Sequence, residues 1–264
     1  MLYELKNKKM KSALITGANK GIGLETAKQL LQKGFYVYIG SRDQQRGIEA
    51  VEKLKAQGLT NVEAIQIDVT DDHSVKNART EIGRKVDYLN VLINNAGISG
   101  VKLDENGKYI PQTWTAAEAS IDTFKEVYET NVYGVVRVTQ AFLDLLKNAP
   151  EPRIVMVSST VGSLSLQSDP AWPAYDFGKF AVYGSSKSAL NMFTVHLAYE
   201  LRDTAFKINM VDPGYTKTDF TNYNGGEVEE AGKRVAKYAL IDKDGPTGKF
   251  FSEETNPETG EIAW

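Results

Sequence analysis

"SALITGANKGIG" (12–23) decides how this chain folds. A short apolar run runs straight into a turn with glycines at Gly17, Gly21 and Gly23. An amphipathic stretch, "GLETAKQLLQKG" (23–34), follows at once. Strand, glycine turn and helix in this order bring a backbone close to a phosphate. The glycines permit the tight turn, and the helix start offers free N–H groups at its positive dipole end. The spacing differs from Gly-x-Gly-x-x-Gly, and it is not a P-loop, because Lys20 precedes the second glycine of the motif. Alone, such a turn is weak evidence. At the head of an alternating strand–helix pattern it points to a dinucleotide.

That pattern is present. "FYVYIGS" (35–41), "VEAIQIDV" (62–69), "NVLINNAG" (90–97), "RIVMVSS" (153–159) and "KINMVDPG" (207–214) read as further strands, and a seventh is expected near "GKFFSE" (248–253). Several are apolar almost without alternation, as parallel strands buried on both faces are. Between the first strands lie helical stretches closed by Gly34 and Gly58. The expectation is an α/β fold, a Rossmann-type doubly wound parallel sheet flanked by helices, in one domain spanning 1–264 with an N-terminal tail over 1–10. Ligands of such sheets bind beyond the carboxyl ends of the strands. Gly17, Arg42, Asp68, Asn94, Ser159 and Pro213 all stand there.

Composition narrows the function. The 264 residues are 42% hydrophobic and 25% charged, with net charge −3, which suits an ordinary soluble globular protein and not a nucleic-acid binder. The lysines at Lys6, Lys8, Lys9 and Lys11 read as a solvated tail. No cysteine is present, so disulfides, thiolate metal sites and cysteine nucleophiles drop out. With no apolar leader or membrane-length run, a cytoplasmic location is expected. The two histidines, His73 and His196, have no metal-ligand spacing, and no Gly-x-Ser-x-Gly elbow supports a hydrolase. No metal is expected. Asp71 and Asp72 read as helix caps.

The second strand ends "IGSRD" (39–43). A carboxylate at Ser41 would hold the ribose of NAD; instead Ser41 is neutral and Arg42 follows. Arg42 with Lys20 would suit the 2′-phosphate of NADP(H). Asp43, one position late, is the counter-reading for NAD.

With "TGANKGIG" (16–23), "DV" (68–69), "NNAG" (94–97), Asn131 in "ETNVYG", "SSTVG" (158–162), "YGSSK" (183–187) and "PGYTKT" (213–218), the chain resembles the short-chain dehydrogenase/reductase family from about residue 11 to 220, and within it the NADPH-dependent carbonyl reductases. The resemblance implies roles by position. Gly17, Asn19, Lys20, Gly21, Ile22 and Gly23 take the pyrophosphate end, Asp68 and Val69 the adenine, and Asn95, Ala96 and Gly97 line the cleft, with Asn94 bracing the sheet. Ser159 polarises a carbonyl, with Ser158 its structural neighbour. Tyr183 is the acid–base, Lys187 its partner and a ribose ligand, and Asn131 supports that lysine through a water. Pro213, Gly214, Thr216 and Thr218 cradle the nicotinamide.

"YDFGKFAVYGSSK" (175–187) offers two Tyr-to-Lys pairs four apart, Tyr175/Lys179 and Tyr183/Lys187. Only the second continues into a helical stripe, through Leu190, Thr194 and Leu197; the first follows Pro170 and Pro173. The family's pattern also continues past its lysine with a small residue and Ala-Leu, as "YGSSKSALNMF" does and "YDFGKFAVYG" does not, so the resemblance implies that Tyr183 is the acid, its pKa lowered by Lys187 and by the oxidised nicotinamide. Between Ser159 and Tyr183 the chain is longer than the family's usual spacing, so 163–182 is an insertion near the active-site mouth, and both monomer and homo-oligomer stay open. Residues 219–240 are a possible substrate lid, and Trp114, Trp172, Phe220 and Tyr223 are candidate aromatic walls. Trp264 is expected to dock on the body or on a neighbouring subunit. The implied activity is NADPH-dependent reduction of a small ketone or aldehyde to an alcohol. The alternatives are an NAD-dependent alcohol dehydrogenase and a non-catalytic dinucleotide-binding regulator.

Overall fold

The computed structural model describes residues 10–108 and 110–264; residues 1–9, with Lys6, Lys8 and Lys9 of the basic tail, lie outside the described residues. Seven strands, β1 (Ser12–Ile15), β2 (Tyr36–Ser41), β3 (Val62–Gln66), β4 (Val91–Asn94), β5 (Arg153–Val157), β6 (Lys207–Val211) and β7 (Phe250–Phe251), form one sheet in the order β3-β2-β1-β4-β5-β6-β7. Every neighbouring pair is parallel. The strand near 248–253 exists but is only two residues long, held in register as Met210↔Phe250 and Val211↔Phe251.

The missing alternation in the strands has its reason here. β1, β2, β4 and β5 are buried at every position. Successive side chains enter opposite cores. Leu14, Leu92, Ile154 and Met156 join one apolar cluster, and Ala13, Ile15, Val91, Ile93, Val155 and Val157 join the other. The first core is closed by α3 (Asp72–Lys85), α5 (Gly134–Lys147) and α7 (Ala181–Glu200), through Ile82, Phe142 and Leu190. The second is closed by α1 (Gly21–Gln32), α2 (Gln44–Ala56) and α8 (Val228–Ala239), through Leu30, Leu54 and Val235. The remaining helices, α4 (Ile121–Tyr128) and α6 (Leu164–Ser168), flank the mouth. Asp71 caps α3, accepting from His73 N at 2.7 Å and Ser74 N at 3.3 Å.

The switch point lies between β1 and β4, where the strand order reverses. The strand ends there open the crevice in which ligands of such sheets bind. At the far side the C-terminal tail docks on its own chain. Ile262 N donates to Phe250 O at 2.9 Å, the Ser163 hydroxyl donates to Ala263 O at 2.8 Å, and Ser165 N donates to Trp264 O at 2.8 Å. Among the described residues, no helix is long and apolar enough to cross a membrane.

Candidate active site

The glycine turn is shaped by close approach. Gly17 and Gly21 sit at φ +63° and +56°, a region that L side chains rarely adopt. A Cβ on Gly17 would lie 3.0 Å from Ala96 Cα, and one on Gly23 2.9 Å from Ala18 Cα. Thr16 ties the two walls of the crevice together: its hydroxyl accepts from Asn95 N at 3.0 Å and Ala96 N at 3.1 Å. The Asn95 amide donates to Thr16 O at 2.9 Å and Gly17 O at 3.1 Å, so Asn95 braces the turn where the sequence suggested a cofactor ligand. The first turn of α1 has no side-chain cap and no acidic residue. Its N–H groups, with half-buried Asn19 and Ile22 beside them, make a cradle that fits a dinucleotide pyrophosphate.

The neighbouring strand end separates the two cofactor readings. Asp43 caps α2, accepting from Arg46 N at 3.0 Å, and lies 3.7 Å from the Arg46 guanidinium. Arg42 is exposed, with no carboxylate partner among the described residues. Lys20 departs from expectation: its ammonium pairs with Asp219 across the mouth, which leaves Arg42 as the free cation of the two. Asp68 Oδ1 accepts from Thr70 N at 2.9 Å and from the Thr70 hydroxyl at 2.7 Å. Val69 closes over Gly134, where a Cβ would lie 2.8 Å from Val69 Cγ2. Both therefore help build the rim. Asn94 is buried between β4 and its neighbours, its Nδ2 donating to the Thr139 hydroxyl at 3.0 Å.

Ser159, Tyr183 and Lys187 come together because two glycines let the loop after β5 lie directly on α7. A Cβ on Gly162 would stand 2.6 Å from Lys187 Cβ, and one on Gly184 2.9 Å from Val161 O. The carbonyl of Gly162 accepts from the Ser188 hydroxyl at 2.8 Å and from Asn191 Nδ2 at 3.2 Å, while the Ser158 hydroxyl donates to Asn191 Oδ1 at 2.7 Å. In this frame the Ser159 hydroxyl, which accepts from Val161 N at 3.4 Å, lies near enough to Tyr183 to favour its phenolate. Lys187 Nζ donates to Val157 O at 2.8 Å and lies 5.6 Å from the Tyr183 ring centroid.

Asn131 sits on a single π-helical turn, Glu129–Tyr133, between α4 and α5; such bulges recur at functional sites. Its side chain accepts from Ile98 N at 2.9 Å and donates to Ile98 O at 2.9 Å and the Ser186 hydroxyl at 3.0 Å. It thus clamps the strand-end loop to the residue before Lys187. Gly97 fills the gap: a Cβ there would meet Asn131 Oδ1 at 3.3 Å and Lys187 Nζ at 3.6 Å.

The charges depart from the sequence reading. Burial, and then the carboxylate of Asp212, push the Tyr183 phenol upward, and the Ser159 hydroxyl only partly opposes them. The lowering expected from Lys187 is not met by the chain's own groups; they hold Tyr183 protonated. Burial lowers Lys187 to about 8, against the opposing pull of Asp212. Asp212 itself is 6% exposed and is pushed up by burial to about 6. Sequence reasoning missed it; the available signal was an acid inside an apolar strand run, immediately before Pro213-Gly214.

The loop after β6 roofs the mouth. Pro213 O accepts from Arg234 Nη1 at 2.9 Å, Gly214 takes φ +88°, and the Thr216 hydroxyl donates to Gly214 O at 2.9 Å. Thr218 reaches the glycine turn, its Cγ2 3.4 Å from where a Gly21 Cβ would be. Phe220 meets Tyr183 edge-on, with ring centroids 5.4 Å apart. Of the 219–240 stretch, only the part before α8 is loop; α8 buries Ala231 and Val235 in the core. Tyr175 and Lys179 form a separate unit in the insertion. Lys179 Nζ lies 3.7 Å above the Tyr175 ring and donates to Gln167 O at 2.6 Å.

The sequence model described as short chain dehydrogenase matches residues 11–228. The chain is 35% identical to (+)-neomenthol dehydrogenase of Capsicum annuum, over 90% of this chain and 94% of that one. It is 33% identical to salutaridine reductase of Papaver bracteatum, over 92% and 94%. Among solved structures, salutaridine reductase from Papaver somniferum superposes with TM-score 0.78 at 31% identity, covering 92% of this chain and 99% of that one. An NADPH-bound carbonyl reductase from chicken fatty liver superposes with TM-score 0.78 at 28% identity, covering 97% and 99%. A match to the family over residues 11–228, and 35% identity to a relative over nine-tenths of the chain, make this chain a member of the short-chain dehydrogenase family of oxidoreductases.

Proposed function

We propose that this protein reduces a small ketone or aldehyde to the alcohol with NADPH. The observation that carries the reading is the convergence of Ser159, Tyr183 and Lys187 on the crevice walled by the glycine turn and by residues 95–97. The bound reduced nicotinamide supplies hydride to the carbonyl carbon. The chain does the rest. Ser159 and Tyr183 donate hydrogen bonds to the carbonyl oxygen, and these strengthen as negative charge develops there. Tyr183 then gives up its proton, and its upward-held pKa keeps that proton in place until the oxygen takes it. Lys187 supplies the nearby positive charge and would hold the nicotinamide ribose. Asn131 acts as a positioning residue through Ile98 and Ser186.

The preference for NADPH rests on the second strand end. Asp43 is engaged as a cap, while Arg42 is free to grip a 2′-phosphate. Similarity to reductases, and to a carbonyl reductase with NADPH bound, supports the same reading. The loop before α8, with Phe220 against Tyr183, serves as the lid.

The test is turnover of NADPH, followed by absorbance, against a panel of ketones and aldehydes. Wild type is expected to oxidise NADPH with at least one. Tyr183→Phe is expected to lose turnover while binding NADPH normally. An active Tyr183→Phe enzyme overturns the assignment of the acid, and turnover with NADH alone overturns the cofactor.

A further inference from the structure

Beside half-buried Tyr183 and buried Lys187 the site holds another buried ionisable group, Asp212. β5 and β6 run side by side, with Val157 opposite Val211 and Ser158 N donating to Val211 O at 2.8 Å. The residues beyond these positions therefore emerge together at the sheet edge. On β5 the Val157 carbonyl takes the Lys187 ammonium, and Ser159 follows; on β6 the next residue is Asp212. Asp212 is almost wholly buried, yet none of the ion pairs among the described residues includes it. Its Oδ2 accepts from the Ser252 hydroxyl at 2.7 Å and its N–H donates to Phe251 O at 2.8 Å, while the nearby backbone N–H of Gly214 favours its charged form. Arg234, on α8, donates to Pro213 O instead, and Glu254, beyond β7, accepts from Tyr215 N at 2.9 Å. The charged and titratable groups facing Asp212 are thus Tyr183 and Lys187 from α7, Arg234 from α8 and Glu254.

A buried carboxylate held only by neutral donors is a costly feature to retain by chance. We propose that Asp212 is a positioning residue for the reductive reaction, a fixed negative charge beside the Tyr183–Lys187 pair that keeps both the phenol and the ammonium protonated. The inference rests on the reading of Tyr183 as proton donor. Reduction needs a proton on Tyr183 and a charge on Lys187, and an adjacent anion makes both protons harder to lose. Its removal acts on the two groups in the same direction. The alkaline limb of the reduction profile must therefore move to lower pH.

The experiment measures kcat/KM for the best ketone of the panel against pH, at saturating NADPH, in wild type, Asp212→Asn and Asp212→Ser. Asp212→Asn keeps the shape and an acceptor for Ser252; Asp212→Ser also removes the charge but is smaller, and it stands in should the first variant fold poorly. Both are expected to shift the alkaline limb downward by about one pH unit, the scale of one nearby charge on a buried group. The NADPH dissociation constant should stay at its wild-type value. A limb that does not move in either variant, while Tyr183→Phe is dead, overturns the role of Asp212 and leaves the acid assignment standing. An upward shift overturns it as well. An active Tyr183→Phe enzyme overturns both.

Discussion

Replacing Gly162 by alanine tests how the site is assembled. The added methyl would lie 2.6 Å from Lys187 Cβ, 2.9 Å from Lys187 C and 3.1 Å from Ser188 N. Carbon atoms rest at roughly 3.5–4.0 Å, so the loop and α7 must separate by about 1 Å. Two of the three obstructing atoms are backbone, which cannot swing aside as a side-chain tip can. Overpacking of this kind costs about 1–3 kcal/mol. In a chain of this size, roughly 2 kcal/mol lowers Tm by about 4–8 °C. The functional effect should be larger than the structural one. The separation carries Ser159 away from Tyr183 and loosens the bonds from Ser188 and Asn191 to the Gly162 carbonyl. A misplacement near 1 Å costs on the order of 10²-fold in rate. The assay pairs thermal unfolding with NADPH-dependent ketone turnover and with NADPH affinity, which should fall far less than turnover because the glycine cradle is untouched. Wild-type turnover in Gly162→Ala would refute the claim that this close approach sets the Ser159–Tyr183 geometry, whatever the melting temperature did.

Three further outcomes are expected. Arg42→Ala should weaken NADPH binding by about 10–100-fold, the value of a charge-assisted contact of roughly 1.5–3 kcal/mol, and leave NADH binding unchanged; equal losses for both would remove Arg42 from the 2′-phosphate. Asp71→Ala removes the cap of α3 and should cost about 1 kcal/mol in thermal stability with no change in turnover; a change in turnover would contradict the purely structural role of Asp71. Asp212→Asn should also alter stability with pH. The folded-state pKa of Asp212, about 6, lies above the ordinary 3.8, so the native state binds the extra proton between these values. Wild-type stability then falls as pH rises through that window and stays low above it. The variant should therefore be the more stable protein at neutral pH, by on the order of 1–3 kcal/mol, with the gap closing below the lower value. A variant less stable at neutral pH would refute this sign.

The strands were legible because buried parallel strands leave unbroken apolar runs, and the glycine turn was legible because it needs glycine where φ is positive. The helix through Tyr183 was legible from the stripe of Lys187, Leu190, Thr194 and Leu197, all of which it buries, whereas Tyr175 stacks under Lys179 outside that helix. What escaped are relations between residues distant in the chain. Lys20 meets Asp219 across a separation of 199 positions, which no local pattern encodes. The second task of Asn95, its side-chain amide tied to Thr16 and Gly17, is likewise absent from any local pattern. The upward push on Tyr183 needs its burial and the approach of Asp212, and both arise only when β5, β6 and α7 pack. The π turn at Asn131 likewise goes with partners far along the chain, Ile98 and Ser186, 33 and 55 positions away.

The anchorage of Ala263 and Trp264 on Ser163 and Ser165 has a practical corollary. Residues 163–182, expected near the active-site mouth, are tied through Ser163 and Ser165 to Ala263 and Trp264. A graft of this stretch from a relative should bring its own terminal residues along, as one exchangeable cassette. Affinity handles fused after Trp264 would tug on the same joint.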